Sequence, residues 1–134
     1  MTKTQFLDKN AILAQNDIVT EDLYIPEWGA WVKIKTMSAA ERDYFEASTI
    51  ARDGKKMQIN MQGIRARLCA LCLVDETGNR IFSNEDEYAL GTKNAAALDR
   101  IFTAIQRLNG LREEDVEALV KNSDGGQRGA LDLD

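Results

Sequence analysis

Histidine is missing from this 134-residue chain. Its absence removes the side chain that titrates most readily near neutrality and the commonest general base. Ser–His and Cys–His nucleophile pairs are excluded with it, as are zinc sites built on imidazole. Cysteine is nearly absent too, with only Cys69 and Cys72 in C-x-x-C spacing. A zinc site needs two further ligands, and the chain has no other Cys and no His to supply them. A redox dithiol belongs at a helix N-terminus, where the dipole lowers a thiol pKa. This pair falls late in a predicted amphipathic helix, beside its apolar stripe, and is read as two small buried hydrophobes. A fold with so few cysteines does not depend on disulfides, which fits a reducing cytoplasm. Long hydrophobic runs are also lacking: the longest is far short of a membrane span, and no charged-then-apolar leader opens the sequence. The expectation is a soluble cytoplasmic protein that does not engage a membrane.

What is present is enough apolar content to fold, 44% of residues, in a length suited to one domain with a single core. Net charge is −5. That argues against nucleic acid as the main partner, because neutralising phosphates requires an excess of Lys and Arg. The charge is uneven: −3 over residues 1–30, +3 over 31–80 and −5 over 81–134. A basic middle between acidic ends suits head-to-tail self-association, although solvated helix faces explain the same pattern more simply.

Turn and cap signals divide the chain. Residues 1–17 are mixed and polar apart from Ala11–Ala14, and are read as an N-terminal arm or short helix. A β-hairpin is expected over about 18–36. Its turn lies at Pro26–Gly29, where Pro presets a dihedral and Gly accepts positive φ. Trp28 and Trp31 are expected to anchor it against helices. Ser38-Ala-Ala-Glu41 is a capping box that starts a helix running to about Arg52, stopped by Asp53-Gly54. A second helix is expected over about 58–73, with Met61, Ile64, Leu68 and Leu71 on one face. Asp75–Asn79 is a turn joining Leu73-Val74 to Ile81-Phe82. Ser83 caps a short helix ended by Gly91, and Asn94 caps a longer one stopped by Asn109-Gly110. A last helix covers about 112–121, its acidic first turn complementing the helix dipole. Residues 123–134, with three glycines and little apolar content, are expected to be a flexible tail. The fold class is therefore α+β and predominantly α-helical. The N-terminal hairpin packs on four to five amphipathic helices, in one domain over 18–122.

No constellation carries chemistry. Glu85-Asp86-Glu87 lacks EF-hand spacing and suits a helix N-terminal turn. The glycines form no phosphate-cradling loop. Catalytic, cofactor-binding and metal-binding residues are expected to be none, and carboxylate- or Lys-based catalysis has no supporting pattern. A surface role remains. A groove lined by Met57, Met61, Ile64 and Leu68 suits an amphipathic partner helix, since methionine adapts to varied surfaces. Ordinary core packing is the plainer reading of the same four residues. Arg52, Lys55 and Lys56 form a basic loop tip, read as a solubility feature or, less simply, a contact for an acidic partner.

The order of these devices resembles the tail assembly chaperones of siphophages, the phages with long non-contractile tails. The likeness is carried by Trp28–Lys35 with Ser38–Arg42, by Leu73–Ser83, and by Ala97–Phe102 and Ile105–Asn109. Glu114–Leu119 and Lys121-Asn122 follow. Together these stretches span about 28–122. The resemblance implies a non-enzymatic protein that binds the helical tape measure protein, keeps it soluble and promotes tail tube polymerisation. It implies action in the host cell cytoplasm and absence from the mature virion. It also implies a longer, frameshifted form that recruits the tail tube protein. The alternative is a structural morphogenesis protein, a connector or minor tail subunit.

Overall fold

The computed structural model describes residues 5–53, 56–59 and 63–111, with side chains assigned outside 50–53 and 56–59. The element order is α1 (Lys9–Leu13), β1 (Thr20–Ile25), β2 (Ala30–Lys35), α2 (Ala39–Thr49), β3 (Ile50–Asp53), β4 (Lys56–Ile59), α3 (Ile64–Cys72) and β5 (Leu73–Val74). A 3-10 turn (Asn84–Asp86), α4 (Glu87–Leu90) and α5 (Ala95–Leu108) follow. The architecture is α+β. None of the described helices is long and apolar enough to cross a membrane.

The first hairpin forms where the alternation places it. Gly29, at φ 60°, closes the turn in a conformation that costs glycine little. The register pairs Thr20 with Lys35 through to Ile25 with Ala30. Directly paired residues share a face, so Leu23, Ile25, Val32 and Ile34 turn together toward the core, where Ile25 and Ile34 are fully buried. β5 adds to β2 through Lys33↔Val74 and Ile34↔Leu73, giving a three-stranded antiparallel sheet in the order β1-β2-β5.

α3 is the centre of the molecule. Every residue from Ile64 to Cys72 except Arg65 is buried, so the helix is covered almost all round. Arg67 is buried as well, with its Nε 3.8 Å from Glu87 Oε1. α5 lies across α3 and the sheet, burying Ala97, Leu98, Ile101, Ala104 and Ile105 on one face. Two ion pairs fix its direction on the first hairpin: Arg100 forks onto Glu27 of the turn at 3.0 and 3.1 Å, and Arg107 pairs with Glu21 of β1. The helix therefore runs antiparallel to β1. Exposed pairs of this kind add about 0–1 kcal/mol each and serve mainly to set orientation.

The expected caps are in place. Ser38 Oγ accepts from Glu41 N while Ser38 N donates to Glu41 Oε1. Ser83 and Asp86 form a second reciprocal box, and Asn94 Oδ1 accepts from Ala97 N at 3.0 Å. Gly110 stops α5 at φ 69°. The turn at Asp75–Asn79 also forms, closed by a Val74↔Arg80 bridge.

Three expectations are corrected. The helix begun at Ser38 ends at Thr49 rather than Arg52, and residues 50–53 pair with 56–59 as a second hairpin. Ser48 Oγ donates to Tyr44 O and Thr49 Oγ1 to Phe45 O, back-bonding that weakens a helix end. The β-branched pair Thr49-Ile50 then favours the extended chain. The second helix begins at Ile64 rather than about 58, because Gly63 adopts φ 72° and breaks any continuation from the strand before it. Finally, Trp28 and Trp31 do not anchor the hairpin to helices: both are exposed, and Trp31 stands on the sheet's outer face. The helix expected over 112–121 and the tail 123–134 lie outside the described residues.

Candidate partner-binding surface

The outer face of the sheet is built from the residues that alternate with the core positions. Opposite Leu23 and Ile25 on β1 stand Asp22 and Tyr24; opposite Val32 and Ile34 on β2 stand Trp31 and Lys33. Tyr24 and Trp31 are cross-strand partners, their rings edge to face at 5.3 Å and 62°. Such pairs add about 0.5–1.5 kcal/mol beyond the area they cover, and this one pins two large rings in place. Beside it, Lys33 Nζ bridges Asp22 Oδ1 at 2.5 Å.

The third strand completes a cleft. Val74 lies next to Lys33, and the turn beyond it carries Asp75 and Glu76 before returning to Ile81. Together Asp22, Trp31, Val32, Lys33, Val74, Asp75, Glu76 and Ile81 enclose about 430 Å³ of open cleft. Its apolar lining remains accessible at Trp31, 67% exposed, and Ile81, 54%, and Tyr24, 44% exposed, stands beside Trp31. Its rim is acidic. Asp75 Oδ1 accepts from Thr77 Oγ1 at 2.6 Å, Thr77 N at 2.9 Å and Asn79 N at 3.0 Å. The Thr77 hydroxyl foremost, with these amides, holds the Asp75 carboxyl below its ordinary range and therefore charged.

A second apolar surface stands apart from the first. The arm that carries α1 buries none of its helical residues. Phe6 is 89% exposed and Leu13 74%, with Leu7 and Ile12 also exposed. A five-residue helix is too short to hold itself in water. Its order comes from a local cap, Asp8 Oδ1 accepting from Ala11 N at 2.9 Å.

The described residues among those singled out from sequence fall in different parts of the fold. Ile64 and Leu68 are 2% and 0% exposed and belong to the core. Met57 lies on β4, opposite Arg52 of β3, so it does not share a helix with them. Lys56 pairs in the same hairpin with Asp53, while Met61 and Lys55 lie outside the described residues. The helical stripe misleads because α3 is buried on nearly all sides: its apolar face measures burial, not access. The outer-face residues carried a signal that helical periodicity does not weigh. Both hairpin strands bear large apolar groups on both faces, which a sheet covered on one side does not require.

The cysteines are inert in this setting. Burial pushes the thiols of Cys69 and Cys72 up to about 12, far from the thiolate needed for nucleophilic or metal chemistry.

A small α+β core that displays aromatic side chains over an open cleft has the make-up of a protein that meets another macromolecule through its surface. Comparison of the sequence with known families gives the particular group: the phage tail assembly chaperone profile matches residues 7–121. The chain belongs to that family, whose role points to binding rather than catalysis. Among curated proteins nothing matches the chain, and nothing matches among solved structures.

Proposed function

We propose that this chain chaperones the tape measure protein of a long, non-contractile phage tail. It binds the apolar stripes of that helical protein non-covalently, keeps it soluble in the host cytoplasm, promotes tube polymerisation around it, and leaves before the virion is complete. A longer form extending the C-terminal end recruits the tail tube protein. The observation that carries this reading is the outer sheet face. Tyr24, Trp31 and Ile81 are exposed around a cleft that the described residues leave open. An unassembled tape measure exposes long apolar helix stripes, and covering them takes such a face, held rigid by the core behind it.

The test is capture from cells expressing the whole tail gene set, with the wild-type chain and Trp31→Ala as baits. Wild type recovers the tape measure protein, and Trp31→Ala recovers at least about tenfold less, as expected for an aromatic at the centre of a contact. Recovery of connector or tail subunits alone, with this chain also present in purified particles, would replace the reading with that of a structural subunit.

A further inference from the structure

The sheet-face cleft carries groups of two kinds, and together they specify the segment that fits it. Its lining is apolar at Trp31, Val74 and Ile81. Its rim sets Asp22, Asp75 and Glu76 against the single cation Lys33. Lys33 is taken up within the cleft, where its Nζ bridges Asp22 Oδ1. Arg80, which bridges to Val74 where the turn returns, is taken up elsewhere: it donates to Ala70 O and to Asn84 Oδ1. Asp75 accepts only from the neutral donors of Thr77 and Asn79. Among the described residues no cation pairs with Asp75 or Glu76, and both stand exposed.

We propose that the cleft selects a client segment whose apolar stripe is flanked by lysine or arginine, the stripe lying on Trp31, Val74 and Ile81 and the cation meeting Asp75 and Glu76. The cleft is the one assigned above to the client, so the proposal rests on that reading and adds the chemistry of the segment. An exposed carboxylate gains little from a cation in open water. A docked apolar stripe changes this, because it excludes water from the rim and strengthens the charge pairing beside it. Trp31 acts in the same direction. The face of an exposed indole attracts a cation, and the methylene stem of Lys or Arg covers apolar surface on its way to the rim. An acidic segment would instead set like charges against Asp75 and Glu76 and be rejected. The apolar lining thus supplies the hold, and the rim supplies the choice of partner and a faster encounter.

The plainer reading of an acidic turn is solubility, and the net charge of −5 attracts any basic chain at a distance. Neither depends on where a carboxylate stands, so position is what the experiment varies. Synthetic helical peptides are titrated against the purified full chain, labelled and kept dilute, and binding is read by thermophoresis. One peptide has an apolar stripe with Lys flanks, a second the same stripe with Glu flanks, and a third the composition of the first with the stripe scrambled. Two variants are compared with wild type: Glu76→Lys on the rim, and Glu85→Lys, which is exposed, lies outside the cleft and changes the net charge equally. Circular dichroism checks that both are folded.

Wild type is expected to bind the Lys-flanked stripe about tenfold more tightly than the Glu-flanked one, the gain of an exposed ion pair together with an exposed cation–π contact. Glu76→Lys should narrow that gap to less than about threefold, weakening the first peptide and strengthening the second, while Glu85→Lys leaves it near tenfold. Equal binding of the two striped peptides, or binding of neither, overturns the proposal. A scrambled peptide that binds as well as the striped one does so too, as does an effect of Glu85→Lys as large as that of Glu76→Lys, since either makes the attraction a property of the whole charged surface. The two readings fail separately. Capture of the tape measure protein with no discrimination between peptides keeps the client and strikes its basic flanks. Discrimination between peptides with no tape measure protein captured keeps the chemistry of the cleft and removes the client named above.

Discussion

Lys35 shows how one residue can belong to the sheet and to the helix that follows it. It sits on the outer face of β2 yet is only 7% exposed, because the start of α2 folds over it. Its ammonium pairs with Glu41, which also accepts from Ser38 N in the capping box. Burial raises the Glu41 pKa, but the hydrogen bonds from Lys35 and Ser38 outweigh it, and the carboxyl ends below its ordinary value of 4.5. Lys35→Ala is expected to cost about 3 kcal/mol, because it strands a half-buried carboxylate. Urea unfolding at neutral pH measures this. The loss should shrink as the solution is acidified, because without Lys35 burial favours the protonated Glu41, which no longer needs a partner. The capping half of this arrangement was legible in Ser38-Ala-Ala-Glu41. The ammonium was not, because the contact joins elements whose approach depends on the whole fold.

The elements divide by how local their causes are. α5 is bounded by signals a few residues away: the Asn94 side chain at its start, Gly110 at its end and an apolar stripe between. Each is a short-range interaction that any context preserves. The segment between α2 and α3 is different. Its residues were assigned to the ends of two helices, but they pair as β3 and β4, and Gly63 at φ 72° separates β4 from α3. Gly63→Ala is expected to destabilise the protein by about 1 kcal/mol, since a Cβ at that φ is strained even where space is available. The nearest atom to a Cβ there is Arg67 Nη2 at 4.0 Å, so the cost should be conformational rather than steric. Gly91→Ala is the contrast: Gly91 is the C-cap of α4, and its φ of −66° lies in the right-handed region that alanine adopts readily. Thermal unfolding of the two variants should place Gly63→Ala below Gly91→Ala.

At the scale of the whole molecule, acid sensitivity is expected from carboxylates held charged by their partners, which are distant in sequence for Glu21 and Glu27 and local for Asp75 and Glu41. Hydrogen bonds from Arg107 and Arg100 hold Glu21 and Glu27 below their ordinary 4.5, and the Thr77 hydroxyl holds Asp75 below 3.8. Glu41 is lowered as well. A group whose folded pKa is depressed contributes stability that is complete above its unfolded value and lost as pH falls through the folded one. The urea midpoint should therefore be flat from neutral pH to about pH 5 and then fall as these groups protonate. Replacing Arg100 and Arg107 by Met should make that fall shallower, since it removes the largest cause that holds Glu21 and Glu27 down. A fall of unchanged steepness would place the acid sensitivity in other groups.

The sequence by itself determined the local devices: the first hairpin and its turn, the Ser38 capping box, the Ser83 and Asn94 caps, the stop at Gly110 and the Asp75–Asn79 turn. It also bounded the chemistry, because a chain without histidine and with one buried cysteine pair has few nucleophiles or ligands to offer. The order of these devices carried the family. Tertiary structure alone decided which apolar residues are covered. Ile64 and Leu68 share a pattern with a docking stripe, but α5, α4 and α2 close over α3. Tyr24, Trp31 and Ile81 have no comparable helical pattern, but nothing among the described residues closes over them. Periodicity records how side chains are arranged along an element; which face meets solvent depends on where the other elements pack, and that is settled only when distant parts of the chain come together.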